Sequence, residues 1–227
     1  MRLKNAFLGY ISLKYNMKAG MEAKQHASID LEWGYANRAL GCSMDECIGA
    51  ALEEFGHALP KQKHHAPSRA ARPGCGCNAQ RAEDDASRKL SKDEAKRAQK
   101  VVGKFLLLAR AIGNAMLHAL NEIACDASGG AEKALEAAQH LLSCAASSPR
   151  PKARLHASGM ALQAGSGAAP SARPKGRSRA GGCRCLGSKS NGMLSAPTLA
   201  LPKVAKGAAG SAARSEEHTS ELQSHSD

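Results

Sequence analysis

The sequence predicts a mainly α chain with one small β-hairpin, three to four helices and a long disordered basic C-terminal region. Three observations carry that expectation. Apolar residues recur at helical spacing in three stretches between Cys47 and Ala146, alternation at period two is confined to Ser28–Trp33, and beyond Ser147 neither period persists. Composition agrees with a modest core. Aromatic residues make up 3% of the 227, with one Trp, three Tyr and three Phe, and aromatic side chains normally supply a large share of buried area.

Ser28-Ile29-Asp30-Leu31-Glu32-Trp33 alternates apolar and polar, as a half-buried strand does. Gly34 to Arg38 reads as a turn, and Ala39 to Cys42 as a weak returning strand. Ser43 and Glu46 have capping-box spacing, and Cys47, Ile48, Ala51, Leu52 and Phe55 then share one helical face. His57 to Pro60 ends that helix. Lys61 to Arg88 is linker-like, with Pro, Gly, His and charge but no period. A second capping box, Ser91 with Glu94, opens the strongest amphipathic stretch, with Val101, Phe105, Leu108 and Ile112 at helical spacing. Gly113-Asn114 interrupts it. Met116, Leu117, Leu120 and Ile123 continue on another helix that Gly129-Gly130 ends, and Glu132 to Ala146 forms a third with Leu135, Ala138, Leu142 and Ala145 inward. From residue 148 onward Ala, Gly, Ser, Pro and Arg dominate, a composition that buries too little apolar area to offset chain entropy.

Charge is unevenly placed. The net charge is +12, and no Asp or Glu occurs between Glu136 and Glu216. Such a basic block favours polyanions, nucleic acid foremost, whether as a binding segment or as a solvated tail. Lys175, Arg177 and Arg179 alternate, so an extended chain would set all three along a phosphate backbone; without aromatic residues among them, binding there would be weak, salt-sensitive and unspecific. No apolar run approaches the roughly 18 residues of a membrane span, and no secretory signal is evident, so an intracellular setting, cytoplasm or nucleus, with free thiols is expected.

The eight cysteines are Cys42, Cys47, Cys75, Cys77, Cys125, Cys144, Cys183 and Cys185. Cys75-Gly76-Cys77 and Cys183-Arg184-Cys185, with His64 and His65, could be assembled into a zinc site on paper, but Cys-x-Cys pairs this far apart lack the spacing of a zinc turn. No metal, no small-molecule ligand and no membrane partner is expected. Asp84-Asp85 sits in the polar linker and reads as solvated surface. Gly165-Ser166-Gly167 and Gly181-Gly182 lack the flanking pattern of a phosphate loop.

Several pieces together resemble one family. Ile29-Asp30-Leu31-Glu32-Trp33 with Tyr35 and Asn37-Arg38, Ser43-Met44 with Ala50-Ala51-Leu52, Phe55 and His57, then Pro60-Lys61 and His65-Ala66-Pro67, follow in the order and spacing of copia-type retrotransposon polyproteins. Val102-Gly103, Phe105-Leu106, Ala109-Arg110-Ala111 and Met116-Leu117 continue the series. His156 to Met160, Ser166-Gly167-Ala168, Pro174 to Gly182 and Leu186-Gly187-Ser188-Lys189 resemble the opening of the ribonuclease H region. The resemblance covers about residues 25–210. It implies an ancestral role in RNA-directed DNA synthesis, with the polymerase's own metal-binding hairpin lying upstream of this sequence.

The departures from the family bear on activity. The family's first metal-ligand Asp falls at Gly167, and Pro170 would disturb a central strand. Family aromatics are replaced by Leu107-Leu108 and by cysteine near Cys183 and Cys185, and the later family Glu is not reached after Ser211-Ala212-Ala213. Several of these changes are single A-to-G steps, as in a copy drifting toward high GC. Arg214 to Ser224 resembles a translated short-read sequencing adapter.

The expected organisation is therefore an α+β remnant. Residues 1–60 form a hairpin plus helix at the reverse transcriptase end, 61–89 a linker, and 90–147 a helical connection. Residues 148–213 form a degenerate, mostly disordered start of ribonuclease H, and 214–227 an adapter-derived tail. The expected function is that of a polyprotein fragment without catalytic residues, its ancestral magnesium no longer held. The competing reading is a non-enzymatic basic polypeptide that binds RNA or DNA by charge through its C-terminal region; a third is that no such protein accumulates in the cell.

Overall fold

A computed structural model describes residues 9–15, 23–69, 87–173, 177–187, 191 and 193–201. Strands β1 (Gln25–His26), β2 (Ile29–Gly34), β3 (Ala39–Ser43) and β4 (Lys152–His156) form an antiparallel sheet in the order β1-β2-β3-β4. The β2–β3 hairpin runs in register from Asp30↔Ser43 to Gly34↔Ala39. Leu31 lies opposite Cys42, and Cys42 opposite Ala153, so these three share a face. Ile29, Cys42 and Ala153 pack from that side against the core, which is the burial their alternation requires.

Four helices follow from the periodic stretches: α1 (Asp45–Phe55), α2 (Lys92–Ala111), α3 (Met116–Gly129) and α4 (Lys133–Ser147). The Ser43–Glu46 capping box does not form. Ser43 is paired with Lys152 in the sheet, the helix begins at Asp45, and its N-cap Met44 offers no side-chain acceptor. The Ser91–Glu94 box forms in full: Ser91 Oγ accepts from the Glu94 N–H at 3.2 Å, and the Glu94 carboxylate accepts from the Ser91 N–H at 2.8 Å. Gly56 and Gly130 end α1 and α3 in the left-handed conformation that glycine adopts at no cost to a side chain.

The helices share one hydrophobic cluster. Ile48 from α1, Val101, Phe105 and Leu108 from α2, Leu120 and Ile123 from α3 and Leu141 from α4 are the largest fully buried side chains. The first part of the expected linker lies along α4 without regular structure. The Ser147 hydroxyl accepts from the His64 N–H at 3.0 Å, His57 Nε2 and Ser143 Oγ are 3.1 Å apart, and the His64 and His140 rings meet edge to face.

The expectation of a mainly α chain with a disordered C-terminal region is overturned by a second antiparallel sheet. It contains β5 (Leu162–Arg173), β6 (Arg177–Leu186), β7 (Met193–Ser195) and β8 (Thr198–Ala200), in the order β5-β6-β7 with β8 also on β6. The β5–β6 hairpin pairs from Leu162↔Leu186 to Ala169↔Arg179, and the register then shifts before Arg173↔Arg177. Apolar burial was the wrong criterion for this segment. A long hairpin satisfies its backbone groups in its own ladder, and small residues let its strands approach. Gly182 shows this: a Cβ there would stand 2.9 Å from the Gly165 carbonyl oxygen. Pro170 is accommodated because β5 is an edge strand, where a missing N–H breaks no second ladder, and because the register is irregular beside it. The tail expected over residues 214–227 lies outside the described residues.

Candidate functional site

The position matched to the family's first metal ligand, Gly167, sits in the middle of β5 opposite Gly181. It is exposed, and a Cβ added there would meet nothing within 4 Å. An aspartate would therefore fit sterically, yet the residue present brings no oxygen donor. The acids bonded to this sheet come from α3, and both are engaged. Arg173 Nη2 donates to Asp126 Oδ1 at 2.6 Å, and Arg179 Nη2 to Glu122 Oε1 at 3.3 Å. Lys133 Nζ stands 4.0 Å from Asp126 as well. Carboxylates committed to guanidinium groups do not make a magnesium cradle, which needs several anionic oxygens directed at one point. The residues present do not fit a magnesium ion here.

The basic row expected along the chain is divided. Lys175 lies outside the described residues. Arg177 is exposed near the β5–β6 turn, opposite Arg173. Arg179 is turned inward, its side chain only 8% exposed. Its Nη1 donates to Asn121 Oδ1 at 2.9 Å and lies 3.3 Å from His118 Nδ1 and 3.4 Å from Thr198 Oγ1. Burial pulls its guanidinium below the ordinary arginine value, the Glu122 carboxylate opposes that, and neighbouring Arg173 adds to it. Arg177 and Arg179 therefore differ in environment, one exposed and the other held against α3. Among the described residues of this region, Arg150, Arg154 on β4, Arg177 and Arg184 on β6, and Lys152, whose Nζ is 3.5 Å from Glu32, are exposed.

The remaining sequence candidates separate in space. Cys183 is half-buried and Cys185 buried on β6, while His64 and His65 lie on the strap along α4. Cys75, Cys77, Asp84 and Asp85 lie outside the described residues. Among the described residues no three His, Cys, Asp or Glu side chains converge as a metal site. Burial pushes the Cys42, Cys47 and Cys144 thiols up, away from the nucleophilic thiolate. His57 is pulled down by burial and by Arg97, and its contact with Ser143 fastens the strap to α4.

Two features have no counterpart in the motif reading. A cleft of about 550 Å3 opens between α2, α3 and the β7–β8 connection, with Leu106, Leu117 and Leu194 on its walls and Arg110 and Asn114 among its polar groups. The exposed Trp33 and Tyr35 rings stack on one another at the end of β2. The Trp-x-Tyr spacing was the available signal for that pair. The Arg173 and Arg179 anchors had none, since their partners lie 47 and 57 residues away. Among the described residues no helix is long and apolar enough to cross a membrane. Compared with protein-family models, curated proteins and solved structures, the chain matches none of them.

Proposed function

We propose that this chain is a catalytically silent derivative of a copia-type reverse transcriptase and ribonuclease H polyprotein, retaining electrostatic affinity for nucleic acid without strand-cleaving chemistry. The observation that carries this reading is the bare strand position: Gly167 stands where the family's motif has its first metal-ligand Asp, and the two acids of α3 that meet this sheet are bound to arginine. The family's phosphodiester chemistry works through metal ions held by clustered carboxylates, and one restored carboxylate would not rebuild such a cluster. The affinity follows from the net charge of +12 and from the exposed Arg154, Arg177 and Arg184. A cytoplasmic or nuclear setting belongs to the same reading.

The test is incubation of the purified chain with an RNA–DNA hybrid and magnesium. The expected result is no cleavage above a protein-free control, both for the chain as it stands and for Gly167→Asp, which should fold normally because its site is open. Magnesium-dependent cleavage by the chain as it stands would end the silent reading; cleavage by Gly167→Asp alone would refute only the statement that one carboxylate does not rebuild the cluster. Fluorescence anisotropy with a labelled oligonucleotide should show binding that falls steeply between about 50 and about 200 mM salt, as counterion release requires; a flat salt response would end the electrostatic part.

A further inference from the structure

Strand β2 ends in two aromatic rings that the fold leaves in solvent. Trp33 and Tyr35 are two residues apart as the strand enters its turn, so their rings can leave from the same side. The ring centroids are 6.0 Å apart with planes 11° from parallel. Trp33 is 42% exposed and Tyr35 79% exposed. The indole N–H donates to the Ala23 carbonyl at 3.0 Å, which satisfies its polar edge and restrains the ring plane. A ring held this way needs little ordering when a flat ligand stacks on it. Phe55 and Phe105, by contrast, are buried in a chain that has few aromatic residues.

A cation belongs to the same turn as Tyr35. Tyr35 opens the four-residue turn that Arg38 closes, and the Arg38 N–H lies 3.3 Å from the Tyr35 carbonyl oxygen. Arg38 holds φ at +46°, a left-handed conformation that costs a residue with a side chain and suits glycine. Its guanidinium is exposed and makes no ion pair among the described residues. The acid on this strand nearest the pair, Glu32, alternates to the other face and lies 3.5 Å from Lys152. The turn thus joins two π faces to a positive charge that has no ion-pair partner among the described residues.

We propose that Trp33 and Tyr35 form a stacking ledge for the unpaired bases of single-stranded nucleic acid, with Arg38 meeting an adjacent phosphate. Bases stack on such rings whatever their sequence, because every base has a π face. The inference rests on the nucleic-acid affinity proposed above, but it moves the base contact from the C-terminal basic region to the first sheet.

Trp33 is the sole tryptophan, so its emission reports the site alone. Titrating the full chain with a single-stranded oligothymidylate, read by Trp33 emission and in parallel by anisotropy of a labelled oligonucleotide, should quench the indole along the anisotropy binding curve. A duplex of equal length should quench little. Tyr35→Ala should weaken single-strand binding about tenfold. Arg38→Gly should raise the thermal midpoint by relieving the strained backbone, yet weaken binding and lower the salt slope by about one. Loss of affinity without loss of fold is the signature that a purely structural turn would not give. Anisotropy binding without quenching would overturn the ledge and leave the electrostatic reading standing; absence of binding in both readouts would overturn both. An unchanged affinity in Tyr35→Ala, or quenching by a proline-rich peptide or an oligosaccharide but not by oligothymidylate, would also overturn it.

Discussion

Ser91 shows how much one side chain decides locally. Its hydroxyl and the Glu94 carboxylate close a reciprocal cap, and the same carboxylate receives Arg88 at 2.9 Å. Ser91→Ala should cost about 1 kcal/mol of unfolding free energy, measured as a lower urea midpoint with an unchanged slope. The same motif at Ser43 and Glu46 is legible in the sequence but inert, because Ser43 belongs to β3 and its neighbour Met44 takes the cap position. A cap motif states what a side chain can do; the preceding element decides whether it is placed to do so. Gly167 is the converse case: it has no side chain, and the space around it would accept one.

Between elements, charge pairs join α1 and the residues preceding α2 to their neighbours, and they make stability depend on pH. The Lys104 and Lys100 ammonium groups hold the Glu54 carboxyl at about 2, below its ordinary 4.5. Arg88 and the Ser91 cap hold Glu94 at about 2 likewise. A carboxyl depressed on folding adds stability that is complete above its unfolded value and is lost as pH falls toward the folded one. Both groups are exposed, so that gain is small and salt-screened. His57 acts earlier. Burial and Arg97 lower its value from 6.5, so below about pH 6.5 the unfolded chain binds a proton more readily than the folded one, and stability falls as pH drops. Acid titration followed by circular dichroism in urea should therefore show a decline starting near pH 6.5 and a further one between about 4.5 and 2. His57→Gln should remove the first and leave the second; a His57→Gln profile identical to the parent would refute the assignment.

For the whole molecule, the question is what attaches the second sheet to the helices. Leu194 and Pro197 of the β7–β8 segment share a cleft with α2 and α3, while Arg173 and Arg179 reach Asp126, Glu122 and Asn121 on α3. Removing one partner of a buried pair leaves the other uncompensated. Glu122 is partly exposed, so Arg179→Met should cost about 2 kcal/mol rather than the full buried-pair penalty. Amide exchange should show the loss as faster exchange in β5, β6 and β8, with α2, α3 and α4 still protected. Equal acceleration in both regions would mean that the two layers unfold as one unit and that the arginines are not a separate attachment.

The helices α1 to α4, the break at Gly113-Asn114 and the β2–β3 hairpin were legible in the sequence, because each depends on a local period or on a glycine whose effect is local. The tertiary structure alone decided that β4 joins the hairpin across more than a hundred residues and that β5 to β8 form a sheet. It also decided that Arg179 belongs to α3 and not to the solvent. These depend on backbone pairing and ion pairing between distant segments, which leave no period in composition or spacing. A stretch rich in glycine and arginine reads as unfolded when only apolar burial is weighed, and becomes ordered here because its backbone pairs with itself and its charges meet partners on a helix already in place.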